Sequence, residues 1–441
     1  MRGKVRTYLS ENSETESKIM NTENIKDVVI IGGGSAGLAA AVKLHESGII
    51  NIIIIEREKM LGGILRQCIH DGFGLTRFNT SLSGPEYAQR FIDAVEKYKI
   101  PYVTNTSVIS VADAQSSPSK VPEKIITTAS PSGLTKFRAK AVMFAMGCRE
   151  RTRGSLAIPG ERPAGVFTAG AAQAYLNLYN KMIGKEVVIL GSGDIGLIMA
   201  RRMTLEGMHV QAVFELMPYS AGLPRNIRQC LNDYNIPLYV SHTVTEIHGK
   251  SRLEGVTVSE VDENRRPIPG TEKFYKCDTL ILSVGLLPEN ELSQQAGVIL
   301  DTRTHGAIVD EHFQTEKEGY FSAGNVLHVH DLVDFVSLEA ETLSESIANF
   351  VKNGSLCKCP LLVTADASIN HTIPQKISGK NDFVLSLRVS APLKDAEIRV
   401  TQGGKLIASK KMKKAMPAEM IHIPIKASDL CENENLKVQA L

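Results

Sequence analysis

The sequence predicts an α/β protein that contains two copies of one strand–turn–helix–strand unit, followed by a small antiparallel β domain. Two glycine-rich turns, Gly32-x-Gly34-x-x-Gly37 and Gly191-x-Gly193-x-x-Gly196, each follow a short apolar run. An acidic residue, Glu56 or Glu215, stands 24 residues after the first glycine of each turn. One such match is weak evidence, but two with the same spacing are strong evidence for a repeated unit.

The first unit has the residues that a dinucleotide site requires. The first glycine of such a turn allows a sharp bend, the second lets a pyrophosphate approach the backbone, and the third lets the helix pack on the strand. The phosphates then lie at the amino end of the helix. The next apolar run, 51–55, ends in Glu56, whose carboxylate can accept hydrogen bonds from ribose hydroxyls. A glycine-rich turn in an α/β protein without a nucleotide is the alternative, and the complete βαβ pattern favours the dinucleotide.

The chain between the two units predicts a loop, a helix and several strands. Four glycines within 61–74 favour a loop that covers a bound ligand. Ser83 or Gly84 can cap a helix that runs to about Lys97. Residues 101–142 predict strands, with turns at Pro118, Pro122 and Pro131, and a buried strand closes on Gly147.

The second unit repeats the order of the first. Its strand, 185–190, leads into the glycine turn, where Asp194 and Ile195 follow Gly193. The strand 210–214 ends at Glu215, and the later strand 279–284 closes on Gly285.

The last part of the chain predicts a strand, a polar turn, a long helix and a β domain. The strand at 319–323 ends in Gly324 and Asn325, and the helix covers about 333–352. From about residue 356, four short runs predict antiparallel strands, with a hairpin turn at Gly403-Gly404. These runs are 383–389, 397–400, 405–408 and 420–423.

Composition limits the function classes. A chain of 441 residues predicts two or three domains. A net charge of +2 and 22% charged residues give no argument for nucleic acid or an acidic membrane surface. No apolar run reaches the roughly 18 residues of a membrane span, and the polar segment 1–25 predicts a disordered tail. Seven scattered cysteines without a C-x-x-C pair predict a reducing cytoplasm.

With both glycine turns, the strands that close on glycine and the Ala323-Gly324-Asn325 turn, residues 26–352 resemble the two-dinucleotide-domain flavoprotein reductases. This superfamily includes the thioredoxin and glutathione reductases. The resemblance implies two Rossmann-like domains, with a domain for NAD(P)H inserted into a domain for FAD. The implied boundaries are 26–155 with 288–355 for FAD and 156–287 for NAD(P)H, followed by the β domain at 356–441.

The resemblance also implies site residues. The ADP half of FAD would be held by the first glycine turn with Ser35, Ala36, Glu56 and Arg57, and Gly63 and Gln67 would line the loop near the flavin. Gly324 and Asn325 would meet the ribitol and pyrophosphate, although the family usually has aspartate where this chain has Asn325. Gly147 and Gly285 would border the FAD and NAD(P)H sites. The pyridine nucleotide site would comprise Gly191, Gly193, Asp194, Ile195, Gly196 and Glu215.

A narrower resemblance implies a partner. The segments 62–68, 146–151 and 193–196 are similar to bacterial FAD subunits that accompany glycerol-3-phosphate or 2-hydroxyacid dehydrogenase-like flavoproteins, and to subunits of opine dehydrogenase and hydrogen cyanide synthase. This resemblance implies a partner flavoprotein subunit within a homo- or hetero-oligomer.

Disulfide reduction needs two sulfurs near the flavin, and this chain lacks them. The glutathione-reductase type carries them in the loop after the paired glycines, where this chain has Leu65 and His70. The thioredoxin-reductase type has a C-x-x-C before its second glycine turn, where 167–172 contains no cysteine. Cys68 is the one thiol expected near the flavin. It is a catalytic candidate if it forms a thiolate, and a small packed side chain otherwise.

Other metal-binding or redox candidates are weaker. The pair Cys357-x-Cys359 could contribute two ligands to a metal or iron–sulfur site. No C-x-x-C follows and Cys431 alone cannot complete four ligands, so such a site is disfavoured. The turn that holds His328, His330, Asp331 and Asp334 has ligand chemistry, yet polar contacts and capping are favoured there. We therefore expect no metal.

Hydride transfer between NADH and FAD, with electrons relayed to a partner or a small acceptor, is the function favoured by these observations. Such a step needs positioning of two rings rather than an acid or base. The carboxylate of Glu215 favours NADH because it repels the 2′-phosphate of NADPH. An NADH oxidase or single-cysteine reductase that uses Cys68 is one alternative. A cofactor-bound regulatory subunit with the β domain as its interaction surface is another.

Overall fold

The structure, a computed structural model, describes residues 20–21, 24–115 and 122–441. Most of the predicted tail 1–25 and the predicted turn at Pro118 lie outside the described residues. The chain forms two compact units: residues up to Cys148 together with Pro288–Leu441, and Arg149–Leu287. Within the described ranges, none of the helices combines the length and apolar character needed to cross a membrane.

The amino-terminal part of the first unit contains the predicted strand, helix and strand, then a second helix and several strands. Ser83 caps the second helix in a capping box with Glu86. The elements are β1 (Met20–Asn21), β2 (Lys26–Ile31), α1 (Ser35–Glu46), β3 (Ile52–Ile55), β4 (Asp71–Phe73), β5 (Leu82–Ser83), α2 (Gly84–Lys97), β6 (Tyr102–Val103), β7 (Ser107–Asp113), β8 (Lys124–Ser130) and β9 (Gly133–Phe144).

The second unit contains the repeated glycine turn between a strand and a helix. Its elements, with the connections from and to the first unit, are β10 (Cys148–Glu150), α3 (Arg153–Leu156), β11 (Val166–Thr168), α4 (Ala169–Asn177), β12 (Glu186–Leu190), α5 (Asp194–Leu205), β13 (His209–Glu215), α6 (Pro224–Cys230), β14 (Leu238–Val240), β15 (His242–His248), β16 (Gly255–Glu260), β17 (Lys273–Tyr275), β18 (Thr279–Leu282) and β19 (Leu286–Pro288).

The chain then returns to the first unit with a short helix, a strand, the long helix and eight strands of the β domain. These elements are α7 (Glu291–Gln295), β20 (Tyr320–Ser322), α8 (Val333–Asn353), β21 (Leu361–Ala365), β22 (Ile369–Ile373), β23 (Lys376–Ile377), β24 (Phe383–Val389), β25 (Leu393–Gln402), β26 (Lys405–Ala415), β27 (Ile421–Ile425) and β28 (Leu436–Ala440).

Parallel sheets place both glycine turns at carboxyl ends of strands. In the first unit, β2 lies between β3 and β9, and both pairings are parallel. β20 pairs in parallel with β9, which brings the end of β20 to the same edge. In the second unit, the order is β11-β18-β12-β13-β14, all parallel. Nucleotides bind at this edge of open α/β sheets.

Apolar residues on both faces of the central strands explain these layers. β3 reads Ile-Ile-Ile-Ile and is buried throughout, as a strand covered on both faces requires. α1 packs beneath α8, and Ala40 O accepts a hydrogen bond from Ser344 Oγ at 3.3 Å. The small residues of α1 allow this close approach.

The β domain has its own apolar core. Alternate residues of β24, such as Leu385 and Leu387, are buried, and the hairpin between β25 and β26 turns at Gly403-Gly404 as predicted. The lysines of β26 at 410, 411, 413 and 414 are exposed.

The expectation for the loop at 61–74 is wrong. The glycines of 61–74 favour a loop without regular structure, but Gly63–Gln67 forms a 3₁₀ helix. The positive φ of Gly62 and Gly63 reverses the chain, and the buried Leu65 anchors the resulting turn in the core.

Candidate functional site

The first glycine turn is closed by the backbone of the neighbouring strands. Gly32 N donates to Ile55 O at 2.9 Å, and Ala145 N donates to Ile31 O at 2.9 Å. Gly32 has a φ of +111°, and a Cβ there would lie 2.3 Å from Ala145 O. A side chain at this position would therefore break the turn.

Gly34 and Gly37 have different surroundings. A Cβ on Gly37 would lie 1.9 Å from Gly32 O, so the helix can approach the strand only without a side chain. A Cβ on Gly34 would meet only Gly63 Cα, at 3.9 Å. The space in front of Gly34 is thus open to a ligand, which is the cradle that a pyrophosphate requires.

Glu56 is buried and holds the turn. Its Oε2 accepts a hydrogen bond from Gly33 N at 2.7 Å, and its Oε1 accepts one from Glu58 N at 2.8 Å. Each oxygen retains a further lone pair for a ribose hydroxyl. The carboxylate thus fits the predicted ribose contact while also stabilising the backbone.

The other predicted FAD residues lie around the same turn, with one exception. Gly62 N donates to Gly33 O at 2.8 Å, which places the 3₁₀ helix that contains Gly63 and the buried Gln67 against the turn. A Cβ on Gly324 would lie 3.0 Å from Ala36 Cβ on α1. Ser35, the first residue of α1, is at the helix amino end. Arg57 instead points to Glu289, with Nη1 2.7 Å from Oε2.

Gly147 and Asn325 lie near each other at the edge of the sheet. Asn325 Nδ2 donates to the sulfur of Cys148 at 3.6 Å. Gly147 has a φ of +74°, and its carbonyl accepts a hydrogen bond from Glu289 N at 3.0 Å. The residues that the sequence predicts for FAD are thus mostly adjacent within the first unit.

The second glycine turn makes the same two backbone hydrogen bonds to neighbouring strands as the first. Gly191 N donates to Phe214 O at 2.7 Å, and Ser283 N donates to Leu190 O at 2.7 Å. A Cβ on Gly191 would lie 2.1 Å from Ser283 O.

Glu215 occupies the position in the second turn that Glu56 occupies in the first. Its Oε2 accepts hydrogen bonds from Ser192 N at 2.9 Å and Ser192 Oγ at 2.6 Å, and its Oε1 accepts one from Met217 N at 2.9 Å. The carboxylate is buried, with its remaining acceptor capacity on Oε1.

Other residues of the second turn support its shape. Gly196 N donates to Ser283 Oγ at 3.1 Å, and this oxygen also lies 3.3 Å from a Cβ built on Gly193. Asp194 Oδ1 accepts from Leu223 N at 2.8 Å, which ties α5 to the start of α6. The half-buried Ile195 packs on the apolar core. Gly285, with a φ of +103°, accepts a hydrogen bond from Arg151 N at 3.1 Å.

The seven cysteines form no disulfide with one another, and all of them lie in the described ranges. Burial raises the pKa of the Cys68 thiol to about 12, so it is protonated at neutral pH. Cys359 Sγ donates to Cys357 O at 3.6 Å. Cys359 also lies near Glu311 and His312, with one donor atom of each within 4.8 Å of the others.

The polar residues that the sequence analysis names within 328–334 make protein contacts, and those of His330 are described below. Asp334 accepts hydrogen bonds from Gly74 N at 3.1 Å and Arg77 N at 2.9 Å. Asp331 Oδ2 accepts one from Met420 N at 3.3 Å. His328 Nε2 lies 2.7 Å from Glu339 Oε2.

Glu339 is the residue that the sequence analysis missed. It lies on α8 among the buried residues Val336, Ala340 and Leu343, and its Oε1 accepts a hydrogen bond from Gly324 N at 2.8 Å. An acidic residue on the apolar face of a helix is the signal that could have identified it.

Comparisons with known proteins agree with this geometry. The family model described as pyridine nucleotide-disulphide oxidoreductase matches residues 26–349. An opine oxidase subunit of Agrobacterium tumefaciens is 24% identical over 313 residues, which cover 68% of this chain and 61% of that protein. Hydrogen cyanide synthase subunit HcnB of Pseudomonas aeruginosa is 26% identical over 306 residues, which cover 65% of this chain and 62% of that protein.

A solved structure shows the same fold. The thioredoxin reductase of T. acidophilum superposes with a TM-score of 0.60 at 26% identity, and the match covers 73% of this chain and 97% of that one. The fold is the two-domain Rossmann arrangement of this group. The chain therefore belongs to the pyridine nucleotide-disulphide oxidoreductase family, whose members bind FAD and a pyridine nucleotide.

Proposed function

We propose that this protein transfers a hydride between NADH and FAD and exchanges the electrons with a partner flavoprotein, without a redox-active disulfide. The observation that carries the proposal is the pair of equivalent glycine turns combined with cysteines that do not form a dithiol pair. When bound, FAD accepts the hydride as two electrons and can then pass them on singly or together.

The residues of the first unit supply binding and orientation. The open space before Gly34 and the backbone N–H groups at the start of α1 suit a pyrophosphate. Gly63 and Gln67 would border the flavin, and Gly324 with Asn325 would contact the ribityl chain. The amino end of α8, near Val333, favours negative charge and so would stabilise reduced flavin.

Glu215 supports NADH as the donor. Its buried carboxylate stands at the end of β13, where the adenine ribose of a nucleotide bound to the second turn would lie. The Glu215 carboxylate would repel a 2′-phosphate at this place. None of the contacts described above pairs this carboxylate with a cation. NADPH is therefore the weaker donor.

A partner subunit is suggested by the relatives. The opine oxidase protein and HcnB are each named as subunits, and the chain spans about 61% and 62% of their lengths. The terminal substrate would be a small hydroxy or amino acid handled by the partner. Cysteines without disulfides agree with a reducing cytoplasm as the place of action.

The proposal is tested by anaerobic stopped-flow spectroscopy of the purified protein. We expect NADH to bleach the flavin band near 450 nm without a thiol-to-flavin charge-transfer band. Co-purification of the native complex should then identify a reduced substrate that bleaches the same flavin. A protein that binds FAD but is not reduced by NADH or NADPH would contradict the proposal and favour a regulatory subunit.

The single-cysteine alternative has less support. A nucleophilic thiol requires a thiolate at neutral pH, whereas burial raises the pKa of Cys68 to about 12. The sulfur also donates to Ile64 O at 3.4 Å, which is a packing role.

A further inference from the structure

Buried polar side chains lie beside the Gly324-Asn325 turn. Glu339 Oε1 accepts the hydrogen bond from Gly324 N, and Glu339 Oε2 lies 2.7 Å from His328 Nε2 and 3.3 Å from His330 Nε2. The side chains of Glu339, His328 and His330 are 9%, 1% and 3% exposed. We call these three residues the Glu339 cluster.

The hydrogen bonds of Asn325 indicate which histidine carries a positive charge. Asn325 Oδ1 accepts a hydrogen bond from the backbone N–H of His330 at 3.0 Å, which fixes the orientation of the amide. His330 Nδ1 lies 3.3 Å from the same oxygen, and His330 Nε2 faces Glu339. Both ring nitrogens of His330 thus face oxygens that can only accept, so each must carry a proton.

His328 is different because only one of its nitrogens has a partner. Its Nε2 donates to Glu339, whereas its buried Nδ1 has no hydrogen-bond partner among the described residues. Burial, together with the neighbouring charge of His330, lowers the pKa of His328. The hydrogen bonds and the burial therefore agree that the cation is His330 and that His328 is neutral.

The charge of Glu339 is matched by His330. Burial alone would raise the pKa of Glu339, but His328 and His330 lower it below its ordinary value. A buried carboxylate without a counter-charge is strongly unfavourable. His330 supplies this counter-charge and joins Glu339 to Asn325.

The other ionisable groups that face the cluster do not replace His330. Burial lowers the pKa of His371 to about 3 and also lowers the pKa of His422, so both are neutral near pH 7. Arg388 lies 3.9 Å from Asp331 and donates to Val329 O at 3.0 Å. These groups come from the segment before α8 (Asp331), from β22 (His371), from β24 (Arg388) and from β27 (His422).

We propose that Glu339 is a positioning residue for the flavin: it keeps His330 protonated, and the His330 cation holds the Asn325 amide and the adjoining turn in the geometry that binds FAD. The inference rests on the proposed contact between Asn325 and FAD. When His330 loses its proton, Nδ1 or Nε2 can no longer donate, and one of the two contacts is lost. FAD affinity should therefore depend on both Glu339 and His330.

The experiment measures the dissociation constant of FAD from the apo-protein between pH 5.5 and pH 9 by flavin fluorescence. We expect Glu339→Gln to weaken FAD binding on the order of tenfold at pH 6.5, the effect of one charge-assisted hydrogen bond. His330→Gln should bind FAD weakly at every pH. Glu345→Gln, on the exposed part of the same helix, should match the wild type.

A second measurement does not depend on the Glu339 variant. Nitrogen-15 NMR of the histidine rings, assigned with His330→Gln, should show two protonated nitrogens for His330 at pH 6.5 and one for His328. A Glu339→Gln variant that binds FAD as tightly as Glu345→Gln overturns the inference and leaves the proposed function standing. A zinc ion bound by wild type and lost in His330→Gln also overturns it, because a metal ligand must be unprotonated at Nε2. A wild-type protein that binds no FAD at any pH overturns both.

Discussion

The Cα of Gly34 lies 3.0 Å from the position that a Cβ on Gly63 would occupy, so the glycine turn and the 3₁₀ helix meet backbone to backbone. Few protein atoms lie in front of Gly34 itself. A side chain on Gly34 would therefore meet the proposed ligand and few protein atoms, so a substitution there can test ligand binding separately from folding.

Gly34→Ala should leave the fold intact and weaken FAD binding. Its Cβ meets no protein atom closer than 3.9 Å, but it occupies the space proposed for the pyrophosphate. We expect FAD to be lost during gel filtration while the circular dichroism spectrum is unchanged. Gly154→Ala is the matched control, since its Cβ also has no neighbour closer than 3.7 Å. Full retention of FAD by Gly34→Ala would contradict this use of the turn.

Gly37→Ala should instead destabilise the protein. The Cβ would lie 1.9 Å from Gly32 O, so α1 must move away from β2. Overpacking of this kind costs about 1–3 kcal/mol or more. Denaturant unfolding of the apo-protein measures the loss, with Gly34→Ala as the comparison. Equal stabilities of the two variants would show that α1 adjusts freely.

Cys68→Ser should keep NADH-dependent flavin reduction within about twofold of wild type, because the thiol is protonated at neutral pH. Steady-state assay with an artificial electron acceptor tests this, with flavin content as the control. Abolished turnover with intact FAD would favour the single-cysteine reductase.

Glu215→Gln should narrow the preference for NADH over NADPH by about tenfold, the effect of removing one close charge repulsion. The amide oxygen can still accept hydrogen bonds from the Ser192 backbone, so the turn should persist. Stopped-flow rates with the two nucleotides give the ratio. Equal rates with both nucleotides in the wild type would contradict the proposed choice of NADH.

The protein should lose stability in mild acid because of buried histidines. Burial lowers the pKa of His371 from 6.5 to about 3, so below pH 6.5 the unfolded chain binds a proton that the folded chain does not. The free energy of unfolding then decreases by about 1.4 kcal/mol for each pH unit below 6.5, and stops decreasing near the lowered pKa. His371→Gln should remove this contribution, whereas His305→Asn, at an exposed position, should retain it. Denaturant unfolding at pH 7 and pH 5 measures the difference. An unchanged pH dependence in His371→Gln would contradict the assignment.

Local sequence signals predict much of the fold. The capping residues around Ser83 identify the start of α2, and α8 ends within one residue of its predicted limit. The sequence pattern predicts that β26 ends at residue 408, but the strand runs to Ala415 because pairing with β25 orders the lysine-rich half. Pairing of this kind depends on a strand elsewhere in the chain.

The site is predictable only where it depends on local backbone geometry. The glycines and acids of both turns are recognisable because each turn needs a fixed spacing. Glu339 escapes prediction because its partners, Gly324 and His328, come together only when α8 folds back on the turn. Its burial is a property of the tertiary structure.

Glu56 and Glu215 accept equivalent hydrogen bonds from backbone N–H groups of the two glycine turns, so variants of the two residues can be compared with each other. Glu56→Gln and Glu215→Gln remove the same charge from the same kind of backbone turn. Any stability loss that the two variants share reports on the architecture. Any difference in nucleotide affinity reports on the ligand that binds one of the two turns. Each variant therefore serves as the control for the other within the same protein.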